Sequence, residues 1–351
     1  MRVKTRLREA TRHAELWLGP YLKDRLARAF DRVTPRRLWV MIADHYEPLG
    51  RSRSLEEALA RVNVWRDRWP RIAEDAPRDA AGQRPQYSFF YPQEEYRAEL
   101  LDGLAAIVRL GVADVEVHLH HDKEQPESFV DKVRTFCQRL VDDHGLLHQI
   151  DGRTVFGFIH GNWALDNARP DGKWCGLTGE IALLRDLGCY ADFTMPSAPS
   201  PTQGRIVNRV YWCTSRADGR PRAFDRGIAA TMGGGRQGDL LMVTGPLGLR
   251  FGERLLPRLE TGELAGYDLP TAARARLWCD LAPRIGDDVF LKLYTHGADD
   301  RNMGPLLDRG LADFFRFVAE EAERRKIELH WATAWQMYKA IAALIEPEAK
   351  T

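Results

Sequence analysis

Three histidines and an aspartate fall within five residues of "VADVEVHLHHDKE", Val112–Glu124, in a chain that has only ten histidines. A β-strand puts side chains at i and i+2 on one face, so His118 and His120 stand side by side with Glu116 one step behind. Two imidazoles on one face, completed by a donor from another strand, suit zinc above all, or nickel, cobalt or iron, and leave a position open for water. His121 and Asp122 come where the strand runs out; with Glu116 they are further donors beside such a cation. In "ADHYEP", Ala43–Pro48, the adjacent Asp44 and His45 can divide labour, one binding a divalent cation and the other handling a proton. His296, in "FLKLYTHG", is an imidazole able to protonate a leaving group near neutral pH. "FIHGNWALDN" contributes His160, Asn162, Trp163 and Asp166. An indole beside amide and carboxyl groups suits a sugar, whose C–H faces stack and whose hydroxyls need polar partners.

Such side chains need rigid elements behind them. Apolar strand-like runs recur, each followed by helix-like sequence: "RRLWVMIADHYEP" before "SLEEALARVNVWRDRWPRIAEDA", "QYSFFYPQEEY" before "RAELLDGLAAIVRLG", "DVEVHLHHD" before "ESFVDKVRTFCQRLVDDHG". "TVFGFIHGNW", "CYADFTMPS", "LLMVTGPLG", "DVFLKLYTHG" and "IELHWATAW" continue the series. Strands alternating with helices imply parallel strands joined by right-handed crossovers, and so many units fit a β/α barrel better than an open sheet. The expected architecture is α/β: a helical extension over residues 1–35, then one β/α-barrel domain over 36–345. An irregular insertion rich in Gly, Pro and Arg is expected at about 197–285. Seven of the ten histidines (His45, His118, His120, His121, His160, His296 and His330) lie in or just after predicted strands. In β/α barrels the carboxyl ends of the strands build the active site.

Composition narrows the partners. A net charge of +1 over 351 residues gives no general reason to expect nucleic acid. Five scattered cysteines without a CxxC spacing argue for reduced thiols, not a zinc knuckle or a disulfide framework. No window of 18 apolar residues occurs, so no transmembrane segment is expected. The N-terminal stretch is basic, charged throughout and without the apolar centre of a signal peptide, which implies a cytoplasmic protein. The same stretch forms an amphipathic helix with Leu16, Trp17, Leu18, Leu22 and Leu26 near one side. Such a helix can touch a membrane peripherally, but more often packs on its own domain. "TMGGGRQGD", Thr231–Asp239, lacks the Gly-Lys-Ser/Thr ending of a phosphate loop.

The order of these pieces resembles the polysaccharide deacetylases of the chitooligosaccharide-deacetylase, or NodB-homology, group. "ADHYEP" stands where that family ends its first strand in a Phe-Asp-Asp-Gly-type motif, "YSFFYP" where it has Thr-Phe-Phe, and "RLGVADVEVHLHHD" where it has a Glu-Ile-Gly-Asn-His strand. "FIHGNWALDN … ALLRDLGCYADFTMPS" follows the Arg-Ala-Pro-x-Trp and Leu-Gly-Phe-x-Tyr-Asp-Ser-Ser segments, and "LKLYTHG" the late Leu-x-His strand. The resemblance covers roughly residues 36–200 and 287–340. It implies a distorted seven-stranded barrel, a divalent metal held by His45, His118 and His120, Asp44 as catalytic base and His296 as catalytic acid. The implied reaction is removal of acetyl groups, N-acetyl before O-acetyl, from a glycan or glycan precursor. Departures from the family pattern are His45 in place of the second Asp, and "HLHHD" in place of His-Ser/Thr-x-x-His.

Two other readings stay open at this stage. Clustered His-x-His strands also occur in amidohydrolase and phosphoesterase metal barrels, although those usually carry the pair on their first strand. A barrel that has lost catalysis and binds glycan within a polysaccharide-assembly complex would keep the same aromatic and polar residues.

Overall fold

Period-two alternation sets the layers. In β1, Arg37–His45, the side chains of Leu38, Val40 and Ile42 enter one apolar core, while Met41 and Ala43 enter another on the opposite face. The computed structural model describes residues 13–31, 33–50, 54–252 and 257–347. Within it β1 runs parallel with β2 (Tyr87–Pro92), β3 (Ala113–Leu119), β4 (Arg153–His160), β5 (Cys189–Asp192), β6 (Leu240–Val243), β7 (Asp288–Thr295) and β8 (Glu328–Trp331). The path is β6–β5–β4–β3–β2–β1–β7. β8 lies along the first half of β1, Arg37–Val40, and β2 along its end, Ala43–His45. The pairing runs as a path and not as a ring, so it establishes a largely parallel α/β sheet without establishing a closed barrel. Across the open flank Lys292 of β7 donates to the carbonyls of Phe193 and Met195, just beyond β5.

Helices cover both faces. In chain order they are α1 (Ala14–Ala29), α2 (Leu55–Asp75), α3 (Ala98–Val108), α4 (Pro126–Asp142), α5 (Glu180–Leu187), α6 (Ala272–Leu281), α7 (Asp300–Pro305), α8 (Leu311–Arg325) and α9 (Ala334–Ile345). In α2 the buried positions Ala58, Val62, Trp65, Trp69 and Ala73 recur every three or four residues, which makes one apolar stripe against the sheet. Ser54 caps this helix by accepting the Glu57 N–H. Trp65 and Trp69 are fully buried, and truncating either to alanine costs about 3–5 kcal/mol. Their indole N–H groups donate to Gly297 O at 3.1 Å and Val112 O at 3.2 Å, so α2 is tied to the chain just after His296. On the other face α9 begins with a Thr333–Gln336 capping box and buries Ala334, Met337, Ile341 and Ile345.

Residues 197–285 are more structured than an irregular insertion. They supply β6 to the parallel sheet, and Val210–Cys213 and Ile228–Ala229 extend that edge antiparallel. The first segment, expected as a helical extension, is docked: Trp17 and Tyr21 of α1 pack with Ala198, Val207, Leu247 and Leu281. Arg28 also donates to four backbone carbonyls there. Residues 1–12 of the basic stretch lie outside the described residues. Among those described, no helix is long and apolar enough to cross a membrane. All five cysteines are free thiols and buried.

Candidate metal centre at the strand ends

The alternation that builds the cores also aims the histidines. On β1 and just beyond it, Met41, Ala43, His45 and Glu47 follow one another on one face. His118 and His120 continue the corresponding face of β3, whose other face carries Val115, Val117 and Leu119. Beyond β7, His296 continues the face of Lys292 and Tyr294. These residues meet at the carboxyl ends of the strands. Ring centroids are 4.8 Å apart for His45 and His296, 5.0 Å for His45 and His118, and 4.6 Å for His118 and His120. Glu47 sits among them. Its Oε1 is 3.5 Å from His118 Nε2 and 3.7 Å from His120 Nε2. The donor atoms of His45, Glu47 and His296 lie within 4.8 Å of one another, as do those of Glu47, His118 and His120.

Hydrogen bonds decide which nitrogens face inward. His118 Nδ1 is 2.9 Å from Ile159 O, and a carbonyl only accepts, so Nδ1 carries the proton. Its Nε2 is buried without a hydrogen-bond partner and faces Glu47. The Nδ1 of His120 is held by Glu94, whose other carboxylate oxygen accepts the His120 N–H at 3.3 Å. A carboxylate behind an imidazole is the usual way of orienting a metal-ligating histidine. Burial, with His296 and His118 beside it, holds His45 well below the ordinary histidine pKa, in the neutral form that ligates metals. Burial pushes the Glu47 carboxyl up, yet the His118 and His120 imidazoles more than offset this and hold it at about 2. Imidazole nitrogens gathered round a carboxylate fit a divalent cation in chemistry and in number.

Asp44 is placed differently from its expected role as base. It points to the opposite face of β1 from His45, where Oδ1 accepts the Gly297 N–H at 2.6 Å and Oδ2 accepts the Tyr87 hydroxyl at 2.9 Å. Burial raises it to about 7. Its position fits an anchor for the turn after His296. Glu116 lies deeper on the His118 face, fully buried, accepting from Gly157 N and the Tyr190 hydroxyl. Asp122 accepts the Trp174 N–H at 2.6 Å and belongs to neither donor group with Glu47.

Of the expected sugar contacts only Trp163 is at the centre. Its ring is 5.8 Å from His45 and 5.9 Å from His296. Neighbouring Asn162 is half-buried, and both residues hold positive φ, 54° and 53°. His160 and Asp166 are fully buried and cannot touch a substrate in this conformation. Asp166 instead pins its loop, accepting from Gly179 N and Ala223 N at 2.7 Å each. His160 and His121 turn to the other side of the sheet. Two clefts open at the centre. One, of about 610 Å³, is lined by His45, Glu47, Arg61, His296 and Asp300. The other, of about 470 Å³, is lined by Trp163, Tyr294, Ser197, Thr261 and Glu263.

Glu47 and Glu94 were not anticipated as site residues. Glu47 carries a local signal, being two residues past His45 on the same face; Glu94 carries none, because only the fold brings it to His120. No protein-family model matches the chain, and no curated protein matches it in sequence.

Proposed function

We propose that this protein is a metal-dependent hydrolase that removes acetyl groups, N-acetyl before O-acetyl, from a glycan or glycan precursor. The observation that carries the reading is the His118 Nε2, buried without a partner and turned with His120 and His45 toward the ionised Glu47. His45, Glu47, His118 and His120 would hold the cation. When bound, such a cation supplies Lewis acidity and makes a water molecule acidic enough to ionise near neutral pH.

The chain's own residues supply the rest. Burial holds His296 below the ordinary histidine pKa, so its imidazole is neutral and can take a proton at a ring nitrogen. The same nitrogen then returns that proton to the departing amine or alcohol. The Asp44 bond to Gly297 N fixes the turn that carries His296, and Glu94 fixes the His120 ring. Trp163 and Tyr294 offer aromatic faces to a sugar ring, and Ser197, Thr261 and Glu263 offer partners to its hydroxyls. A β/α barrel of the deacetylase kind is consistent with the parallel strands and with a centre at their carboxyl ends.

One observation favours a second reading. The two donor groups share Glu47, so His45 and His296 on one side of it and His118 and His120 on the other would also hold two cations, as in two-metal phosphoesterases. Elemental analysis of the wild type and of a His118→Ala/His120→Ala variant tests both, beside assays for acetate release from N-acetylglucosamine oligomers and for phosphodiester cleavage. Loss of one metal equivalent together with acetate release supports the deacetylase. Loss of one equivalent in that variant and of two in Glu47→Ala, with phosphodiester cleavage, supports the alternative, and no difference in metal content refutes both.

A further inference from the structure

We infer that the chain holds a second metal, of the zinc class, at a closed site behind the strand ends built by His121, His160, Cys175 and Glu180. All four residues are buried, with exposures of 7%, 0%, 0% and 0%, and their donor atoms lie within 4.8 Å of one another. They come from four places: the end of β3, the end of β4, the loop after it, and the first turn of α5. His121 directly follows His120, so strand alternation sends it to the opposite side, where its ring packs 5.4 Å from Phe129 of α4.

Both imidazoles have their Nδ1 positions committed. His121 Nδ1 donates to Cys175 O at 3.2 Å, and His160 Nδ1 donates to Gly161 O. That leaves both Nε2 atoms facing one carboxylate oxygen, Glu180 Oε1, at 3.0 Å for His121 and 3.6 Å for His160. A single protonated histidine could satisfy Glu180 through the shorter contact. It would still leave His160 Nε2, fully buried and without a hydrogen-bond partner, aimed at the same oxygen. A cation among these atoms satisfies both nitrogens and the carboxylate together.

The sulfur fits as the fourth donor. Cys175 Sγ is in reach of the backbone N–H groups of Asn167 at 3.3 Å and Leu177 at 3.4 Å and of Leu177 O at 3.5 Å, which fixes the sulfur beside the other three donors. It also lies 3.6 Å from Glu180 Oε2, whose remaining bond is to Asp166 N at 2.7 Å. Imidazole, thiolate and carboxylate are all ligand types that zinc takes, and four of them match its tetrahedral preference. On binding, the thiol proton leaves to solvent and the metal–sulfur bond takes its place. With four protein donors and all four side chains buried the site leaves no room for substrate, so its role is structural. It clamps the loop carrying Trp163 onto the strand ends that carry the hydrolytic centre.

Cobalt(II) loading of the full-length protein is the test, because the hydrolytic centre contains no sulfur donor. The wild type should show an intense near-ultraviolet thiolate-to-cobalt band. Cys175→Ser should lose that band and one metal equivalent, while His118→Ala/His120→Ala should keep the band. A wild type that binds cobalt without the band overturns the proposal and leaves the hydrolytic centre standing. A band that survives Cys175→Ser also overturns it. If Cys175→Ser does not fold, His160→Gln decides: the proposal requires it to lower zinc content by one equivalent, and unchanged content refutes it.

Discussion

Replacing Asp44 separates an anchoring role from a catalytic one. Its two carboxylate oxygens are the acceptors for two buried donors, the Gly297 N–H at 2.6 Å and the Tyr87 hydroxyl at 2.9 Å. Asp44→Ala leaves both donors in a site where the surrounding groups, including Trp65, are fully buried. An unsatisfied buried donor costs about 1–3 kcal/mol, so the loss should be about 2–6 kcal/mol. Asp44→Asn keeps the shape. Its carbonyl oxygen still accepts from Gly297 and its amide can donate to the Tyr87 oxygen, so the expected cost is about 1 kcal/mol. The assay is urea unfolding followed by tryptophan fluorescence in chelator, so that bound metal does not enter the comparison, with elemental analysis run alongside. Both variants should bind metal at the wild-type stoichiometry, and Asp44→Asn should retain measurable acetate release. An alanine variant within about 0.5 kcal/mol of wild type would refute the anchoring argument. An asparagine variant of unchanged stability and metal content but with no turnover would restore Asp44 as the base.

Three further outcomes follow from the same geometry. Glu94→Gln removes the charge that orients His120 and should weaken metal binding about 10–100-fold in a competitive chelator titration, with unfolding in chelator little changed; unaltered affinity counts against the orienting role. Gly161→Ala places a methyl 2.3 Å from the His120 ring and 2.8 Å from its Cα. It should destabilise the protein by about 1–3 kcal/mol and weaken the metal centre, which thermal unfolding with and without zinc will show. Asp114 is raised by burial from 3.8 to about 6, so the folded state keeps a proton that the unfolded chain releases. Its contribution is therefore complete below about pH 4 and lost as pH rises through about 6, a change of about 3 kcal/mol. Asp114→Asn should flatten that decline in unfolding free energy measured between pH 4 and 7, and parallel curves for the two proteins would exclude it.

Period two explains most of what could be read in advance. It placed His118 and His120 on one face, put His45 and His296 at strand ends, and located the parallel strands through their apolar runs. The same rule, applied within "ADHYEP", separates Asp44 from His45, because neighbours on a strand cannot share a face. Adjacency in the chain and the family resemblance had both joined them in one site. Other residues depended on distance in the chain. Glu94 reaches His120 across 26 positions, and Glu180 reaches His121 across 59. Cys175 carries no spacing signal, since its partners come from separate elements. His160 and Asp166 were read from composition as sugar contacts, but a loop turned by positive-φ residues buries them. β6 was legible as the apolar run "LLMV", whereas the antiparallel strands Val210–Cys213 and Ile228–Ala229, in the Gly- and Arg-rich stretch before it, were not.

The alternation of His118 and His120 with Leu119 also makes the pairing of β3 self-checking during folding. A slip of one residue against β2 and β4 exchanges the two faces of the strand. A slip that moves each residue back by one place would bring Leu119 and His121 into the polar cleft and drive His118 and His120 toward the helix-side core of Phe129, Phe136 and Phe158. Each imidazole stranded there without a partner costs about 1–3 kcal/mol. The exposed leucine would give up burial that contributes about 1.5–3 kcal/mol. An alternating strand with a wholly apolar tip would incur the second penalty alone. Polar residues at this tip therefore discriminate against the misaligned sheet before any cation arrives.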